Sequence, residues 1–337
     1  MHSFVRNLIT EWRRLELPVE NATVVVAVSG GADSVSLLLG INELKKAAKL
    51  NLKIVAAHLN HQLRGVESDV DEQFVKHLTT ELGIGLDLHR EKIDVDGNLE
   101  QNARDARYKF LSDAARNLNA FAVLTGHTMN DQAETFLMNL IRGSGPEGLS
   151  GMRVVRELEG EKDKEKTSSV LPFSSSPLLL VRPLLSWANR VDTEAFCHEL
   201  GIEYRYDTMN EDTAFKRVQI RKILLPLLED MNPKIVETLA NTASLMQGIA
   251  EPSESSTIEA ELSLNNLKAL SKPALYSTIR SWLGQHRGNT RRLQLKHIQA
   301  IERLVFSEKS GKTAEIPGGK VVKVAGKLMY EENKVEN

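Results

Sequence analysis

Residues 29–34 read Ser29-Gly30-Gly31-Ala32-Asp33-Ser34 and directly follow the apolar run Val24-Val25-Val26-Ala27-Val28. A buried strand that turns through two glycines into a helix brings backbone amides to a point. Gly30 and Gly31 permit positive φ and close approach. The open N–H groups of the helix start, with the Ser29 and Ser34 hydroxyls, are donors suited to phosphate oxygens. Asp33 sharpens the reading, because a carboxylate beside a polyphosphate repels it unless a divalent cation such as Mg2+ bridges the two. An ordinary strand–helix turn capped by Asp33 is the competing reading. The string is neither G-x-x-x-x-G-K-S/T nor G-x-G-x-x-G, which weighs against mononucleotide kinases and dinucleotide oxidoreductases. Ser310-Gly311-Lys312-Thr313 imitates the first of these, but Phe306 stands where its earlier glycine is required, so it reads as a polar turn.

A second set of reactive groups is His127, Asp131 and Glu134. Asp131 and Glu134 are three apart at a helix start and share one face, where they can hold Mg2+ or the ammonium of an amine. Compensation of the helix dipole is the alternative for Glu134. His127, between a strand end and Asp131, is placed for a polar contact to a reacting centre, against the alternative of a histidine satisfied in the core. Arg104 and Arg107 are three apart on a helix, as a phosphate-binding fork or as surface ion pairs. His58, His61 and Arg64 follow a strand and border the same region. Clusters of cations at Lys216, Arg217, Arg221 and Lys222, and at Arg280, Arg287, Arg291, Arg292, Lys296 and Arg303, are phosphate contacts or solvated helix faces.

The elements that must hold these groups follow from periodicity. Apolar β-branched runs at 23–28, 52–57, 85–89 and 121–125 alternate with amphipathic stretches at 34–49, 67–82 and 99–118. That is the pattern of consecutive βαβ units and a doubly wound, mostly parallel sheet. Ser29, His58 and His127 would then each follow a strand and share the sheet's carboxyl edge. The later chain reads as mainly helical. It contains a charged insertion near 156–169, a linker composition at 251–257 and short strands after residue 313. The expected division is a catalytic domain over 1–225, a helical connector over 226–257 and a C-terminal domain over 258–337.

With 337 residues, 41% of them hydrophobic and 26% charged, the chain is globular in composition. Its net charge of −2 gives no global attraction to nucleic acid, so such a partner needs a local basic surface. The N-terminal stretch MHSFVRNLITEWRR has no uncharged apolar segment, and no run suits a membrane span, so a cytoplasmic protein without a membrane partner is expected. No obligate protein partner is evident. The single cysteine, Cys197, cannot by itself supply a disulfide or a two-thiol relay, and it lies far along the chain from every motif above.

The string at 29–34 resembles the signature of the N-type ATP pyrophosphatases, the PP-loop superfamily. Four further stretches narrow the likeness: His58-Leu59-Asn60-His61-Gln62-Leu63-Arg64; Asn98-Leu99-Glu100 with Ala103-Arg104-Asp105-Ala106-Arg107-Tyr108; Thr125-Gly126-His127 through Asn130-Asp131-Gln132-Ala133-Glu134-Thr135; and Arg142-Gly143-Ser144-Gly145. Together they resemble the tRNA(Ile)-lysidine synthases, whose shorter architecture this chain is similar to. The resemblance implies a ligase that uses ATP and Mg2+. It would join free lysine to carbon 2 of the wobble cytidine in the CAU anticodon of tRNA(Ile), through an adenylated cytidine. It implies ATP binding by Ser29, Gly30, Gly31, Ala32, Asp33 and Ser34, and catalytic roles for Asp33, Arg107, His127 and Asp131. Asp33 and Asp131 would hold the metal, Asp131 and Glu134 the lysine, and Arg217, Arg221, Arg291 and Arg292 the tRNA. The segment from Phe215 to Arg221 follows the family's Phe-x-Arg-Asn-x-Ile-Arg, with Val218 in place of asparagine. The alternatives are a PP-loop tRNA thiolating enzyme, disfavoured by the single cysteine, and a silent RNA-binding homologue.

Overall fold

The computed structural model describes residues 1–62, 65–93, 99–158, 177–206, 216–250, 261–290, 293–309 and 311–332. The chain forms two compact units, Met1–Glu134 with Met152–Ala240, and Thr135–Gly151 with Asn241–Asn337. Along the first part run α1 (Ser3–Arg14), β1 (Glu20–Ala27), α2 (Ala32–Lys46), β2 (Asn51–Asn60), α3 (Val66–Leu82), β3 (Gly85–Arg90), α4 (Leu99–Asn117) and β4 (Ala120–Leu124). Then come α5 (Met129–Ile141), α6 (Pro146–Leu149), β5 (Val155–Glu157), β6 (Leu179–Val181), α7 (Arg190–Glu199), α8 (Lys216–Gln219), a π-helical turn (Ile220–Leu224), α9 (Leu225–Met231) and α10 (Ile235–Ala250).

In the first unit the strands lie in the order β3-β2-β1-β4-β6-β5, all parallel except β5, which runs antiparallel to β6. The unbroken apolar character of β1 follows from burial on both faces. Val24, Val26 and Val28 join a core with Val35, Leu38 and Ile41 of α2, Phe4, Leu8 and Trp12 of α1, and Phe196 of α7. Val25 turns the other way and packs with Val123, Leu180, and Leu111 and Ala115 of α4. The doubly wound parallel sheet expected from the sequence is therefore present. Two details differ. β2 continues to Asn60, so His58 lies inside the strand and not after it. The three-residue strands β5 and β6 carry too little sequence to show a period.

The second unit contains β7 (Glu261–Ser263), α11 (Leu264–Lys268), α12 (Lys272–Arg287), α13 (Leu295–Phe306), β8 (Thr313–Ile316), β9 (Gly319–Val324) and β10 (Lys327–Glu332). The strands form an antiparallel sheet ordered β7-β10-β9-β8. Leu275, Ile279, Trp282 and Leu283 of α12 and Ile298, Ile301 and Val305 of α13 cover its inner side, where Ala314, Ile316, Val321 and Leu328 alternate with polar neighbours. The polar turn expected near Gly311 leads into β8, with the Gly311 N–H donating to the Lys323 carbonyl at 2.9 Å. Most of the charged insertion and the expected linker at 251–257 lie outside the described residues.

Candidate active site

The strand order reverses at β1, which has β2 on one side and β4 on the other. Loops at the carboxyl edge of such a switch point are where doubly wound sheets receive ligands. The chain leaves β1 through Gly30, at φ +95°, and enters α2 with Gly31 as N-cap. The Gly30 carbonyl accepts from the Arg205 N–H at 2.9 Å, and Arg205 Nε donates to Asp71 Oδ1 at 3.0 Å. Ser34 Oγ accepts from the Ser29 N–H at 3.1 Å and donates to the Gly31 carbonyl at 3.0 Å. Of the two hydroxyls expected to meet phosphate, that of Ser34 is thus committed to the shape of the turn. The end of β4 closes against the start of α2 because Gly126 lacks a side chain. A Cβ there would stand 2.5 Å from the Asp33 carbonyl oxygen and 2.9 Å from the Ser34 nitrogen.

Three carboxylates converge beside this turn. Asp33, in the first turn of α2, accepts from Thr193 Oγ1 at 2.5 Å. Asp131, at the start of α5, accepts the Thr128 N–H at 2.9 Å and Arg217 Nη2 at 3.0 Å. Glu134, one turn later and fully buried, accepts Arg217 Nε at 2.7 Å and Arg221 Nε at 2.6 Å. Arg190 spans all three, with Nε 3.9 Å from Asp33, and Nη2 4.0 Å from Asp131 and 3.5 Å from Glu134. Arg217 and Arg221 are one helical turn apart, so both forks reach one acceptor.

The electrostatics separate the two aspartates. Burial, and then the charge of Asp131, push Asp33 up to about 6. Burial also acts to raise Asp131, but Arg217, Arg190 and the Thr128 amide together outweigh it and hold the group as a carboxylate. Burial keeps His127 neutral against the pull of Asp131, and its Nδ1 lies 2.9 Å from Thr125 Oγ1. Among the described residues no three His, Cys, Asp or Glu side chains converge as a metal cage. Two facing aspartates, one of them reluctant to ionise beside the other, nevertheless fit a hard divalent cation that takes its remaining oxygens from phosphates and water.

The candidate residues are thereby distributed as follows. Ser29 to Ser34, His127, Asp131 and Glu134 share one edge. Glu134, expected to hold an ammonium, already carries two guanidiniums. Arg217 and Arg221, expected at tRNA phosphates, turn toward these acids, and Val218 between them is buried. Arg107 projects its charge onto His58 and His61, while Arg104 stacks 5.1 Å above the Tyr108 ring. Arg280 pairs with Glu147 within the second unit and has little exposure. Arg64, Phe215, Arg291 and Arg292 lie outside the described residues. Cys197, remote along the chain, sits beneath the loop, 3.7 Å from the Ala32 carbonyl. Burial pushes its thiol up to about 12, so it is no thiolate nucleophile. Thr193, Arg190 and Arg205 were not among the expected residues. They arrive from α7 and the chain beyond it, and nothing in their local sequence marks them.

One family model, described as a PP-loop domain, matches residues 4–228, and another, described as a TilS substrate binding domain, matches residues 262–329. The chain is 35% identical to the tRNA(Ile)-lysidine synthase of Geobacter sulfurreducens, over 87% of this chain and 61% of that one. It is 31% identical to that of Dehalococcoides mccartyi, over 91% of this chain and 64% of that one. The chain thus spans a little over three fifths of the length of these curated relatives. Among solved structures, the U34-tRNA thiolase NcsA from Methanococcus maripaludis, with its 4Fe-4S cluster, superposes with a TM-score of 0.56 at 17% identity, covering 72% of this chain and 79% of that one. That likeness concerns the fold. The match over residues 4–228, on a sheet whose first strand ends in the Ser29–Ser34 turn, places this chain in the PP-loop domain family.

Proposed function

We propose that this protein joins lysine to carbon 2 of the wobble cytidine in the CAU anticodon of tRNA(Ile), consuming ATP and releasing AMP and pyrophosphate. The observation that carries the reading is the convergence, at one sheet edge, of an anion-receiving turn with Asp33, His127 and an ionised Asp131. Support also comes from the similarity to proteins named for this reaction.

In the first step the cytosine 2-oxygen attacks the α-phosphorus of ATP, and pyrophosphate leaves. Ser29 and the amides of Gly30, Gly31 and Ala32 receive the triphosphate, with Ser34 shaping their turn. Asp33 and Asp131 would hold Mg2+, which when bound offsets the charge of the phosphates. Arg107 serves the nucleotide from α4. In the second step the lysine ε-amine attacks carbon 2, the bond to AMP breaks, and one proton is released. Asp131, kept anionic, orients the amine, and His127 makes a polar contact to the reacting centre. Glu134 acts through Arg217 and Arg221, which fix the setting of Asp131. Arg291 and Arg292 contact tRNA phosphates.

Incubating the protein with ATP, Mg2+, lysine and tRNA(Ile), then digesting the RNA and weighing its nucleosides, tests this. Lysidine should appear in step with AMP and pyrophosphate. A nucleoside heavier by sulfur, or pyrophosphate release that ignores lysine, defeats the proposal. Asp131→Asn should lower lysidine formation by at least about a hundredfold. Replacing Arg291 and Arg292 by alanine should weaken tRNA binding and flatten its logarithmic salt dependence by about 2.

A further inference from the structure

His58 Nδ1 lies 2.8 Å from the Val28 carbonyl oxygen, which can only accept. Nδ1 therefore carries the proton, and Nε2 is left as a bare acceptor. His58 is 4% exposed, and its Nε2, like both ring nitrogens of His61, is buried with no hydrogen-bond partner among the described residues. Burial keeps both rings neutral, and the positive charge of Arg107 reaches both. Empty buried polar atoms are rare in a folded protein, and three in one corner beside the loop that leaves β1 point to ligand atoms. The complement of a buried, unprotonated acceptor is a ring edge that presents an N–H donor. Adenine offers its 6-amine beside N1, and cytosine its 4-amine beside N3 and O2. Uracil would set O4 against the lone pair of His58.

We propose that His58 is a specificity residue whose Nε2 accepts a hydrogen bond from the exocyclic amine of an amino-substituted base. This rests on the proposed function, in which two such bases take part, the adenine of ATP and the target cytidine. The bond to Val28 fixes the tautomer, so the site rejects a keto group at that position without any change of shape.

The test deletes the amine and the acceptor separately and together, reading kcat/KM for pyrophosphate release. One arm compares ATP with purine riboside triphosphate, which lacks the 6-amine. The other compares tRNA carrying cytidine with tRNA carrying pyrimidin-2-one at the target position, which lacks the 4-amine and keeps O2. In one arm wild type should lose about tenfold or more without the amine. His58→Phe should show the same loss with the natural base and then be indifferent to the amine, and the arm where this happens identifies the base. His58→Gln, which can donate to Val28 and still offer an acceptor, should recover part of the loss. Independent, multiplying losses in both arms overturn the proposal. If the phenylalanine variant melts early, the wild-type comparison decides, and indifference to both amines overturns it. Should no lysidine form with wild type, the function fails. The ATP arm, read as nucleotide affinity by equilibrium binding, then decides His58 by itself: a loss without the amine supports it and no loss overturns it.

Discussion

Glu134 takes guanidinium donors on both of its oxygens while fully buried, and removing its charge leaves Arg217 and Arg221 facing each other. Breaking such a pair from one side costs about 3–5 kcal/mol. Glu134→Gln should therefore lose stability on that scale in urea unfolding, and under the proposed function lysidine formation should fall with it. Glu72 gives a pH-dependent counterpart. It accepts a bidentate pair from Arg90 at 2.7 and 2.9 Å, Lys76 at 2.7 Å and Asn60 at 2.9 Å. The hydrogen bonds from Arg90 lead in holding its carboxyl down to about 2, against 4.5 as the ordinary value. The unfolded chain binds the extra proton between those values, so this stabilisation is complete above pH 4.5 and fades as the pH falls toward 2. Glu72→Gln should melt lower than wild type at pH 6, and the gap should close toward pH 2, as followed by circular dichroism. At this scale the sequence singled out Asp33, His127 and Asp131 because each lies in the loop or first helical turn that follows a strand. It hid Arg190 and Thr193, whose positions depend on how α7 packs against α2.

At the level of elements, the site depends on two backbones touching. Gly126, two residues beyond β4, meets the first turn of α2, and any Cβ would enter the Asp33 carbonyl. Gly126→Ala should push that turn away, costing about 1–3 kcal/mol in stability, and nucleotide affinity should fall further than stability alone explains. Isothermal titration with Mg–ATP beside a denaturant curve separates the two effects. Four of the five parallel strands, β1 to β4, and their crossover helices were legible because each carries a full apolar period between glycine or asparagine turns. β5 and β6 were not, since three residues do not make a period and pairing alone assigns them. The reach of β2 to Asn60 was hidden for another reason. His58 and Asn60 look like loop residues, yet His58 Nδ1 is taken up by the Val28 carbonyl and the Asn60 amide by Glu72.

For the whole molecule, the two units keep separate cores, with Trp12 and Trp187 in or against that of the first and Trp282 in that of the second. Because a ligand stabilises only what it binds, Mg–ATP should raise the unfolding transition seen by Trp12 and Trp187 in a Trp282→Phe variant. The transition seen by Trp282, with Trp12 and Trp187 replaced by phenylalanine, should move less. Arg190 sits among the three acids. One guanidinium lies within 4.0 Å of all three acids of the cleft, so their mutual repulsion is already damped before any nucleotide arrives. Dialysis against a chelator should accordingly leave the melting temperature unchanged, and the idle protein can be stored stripped of divalent ions with its cleft intact.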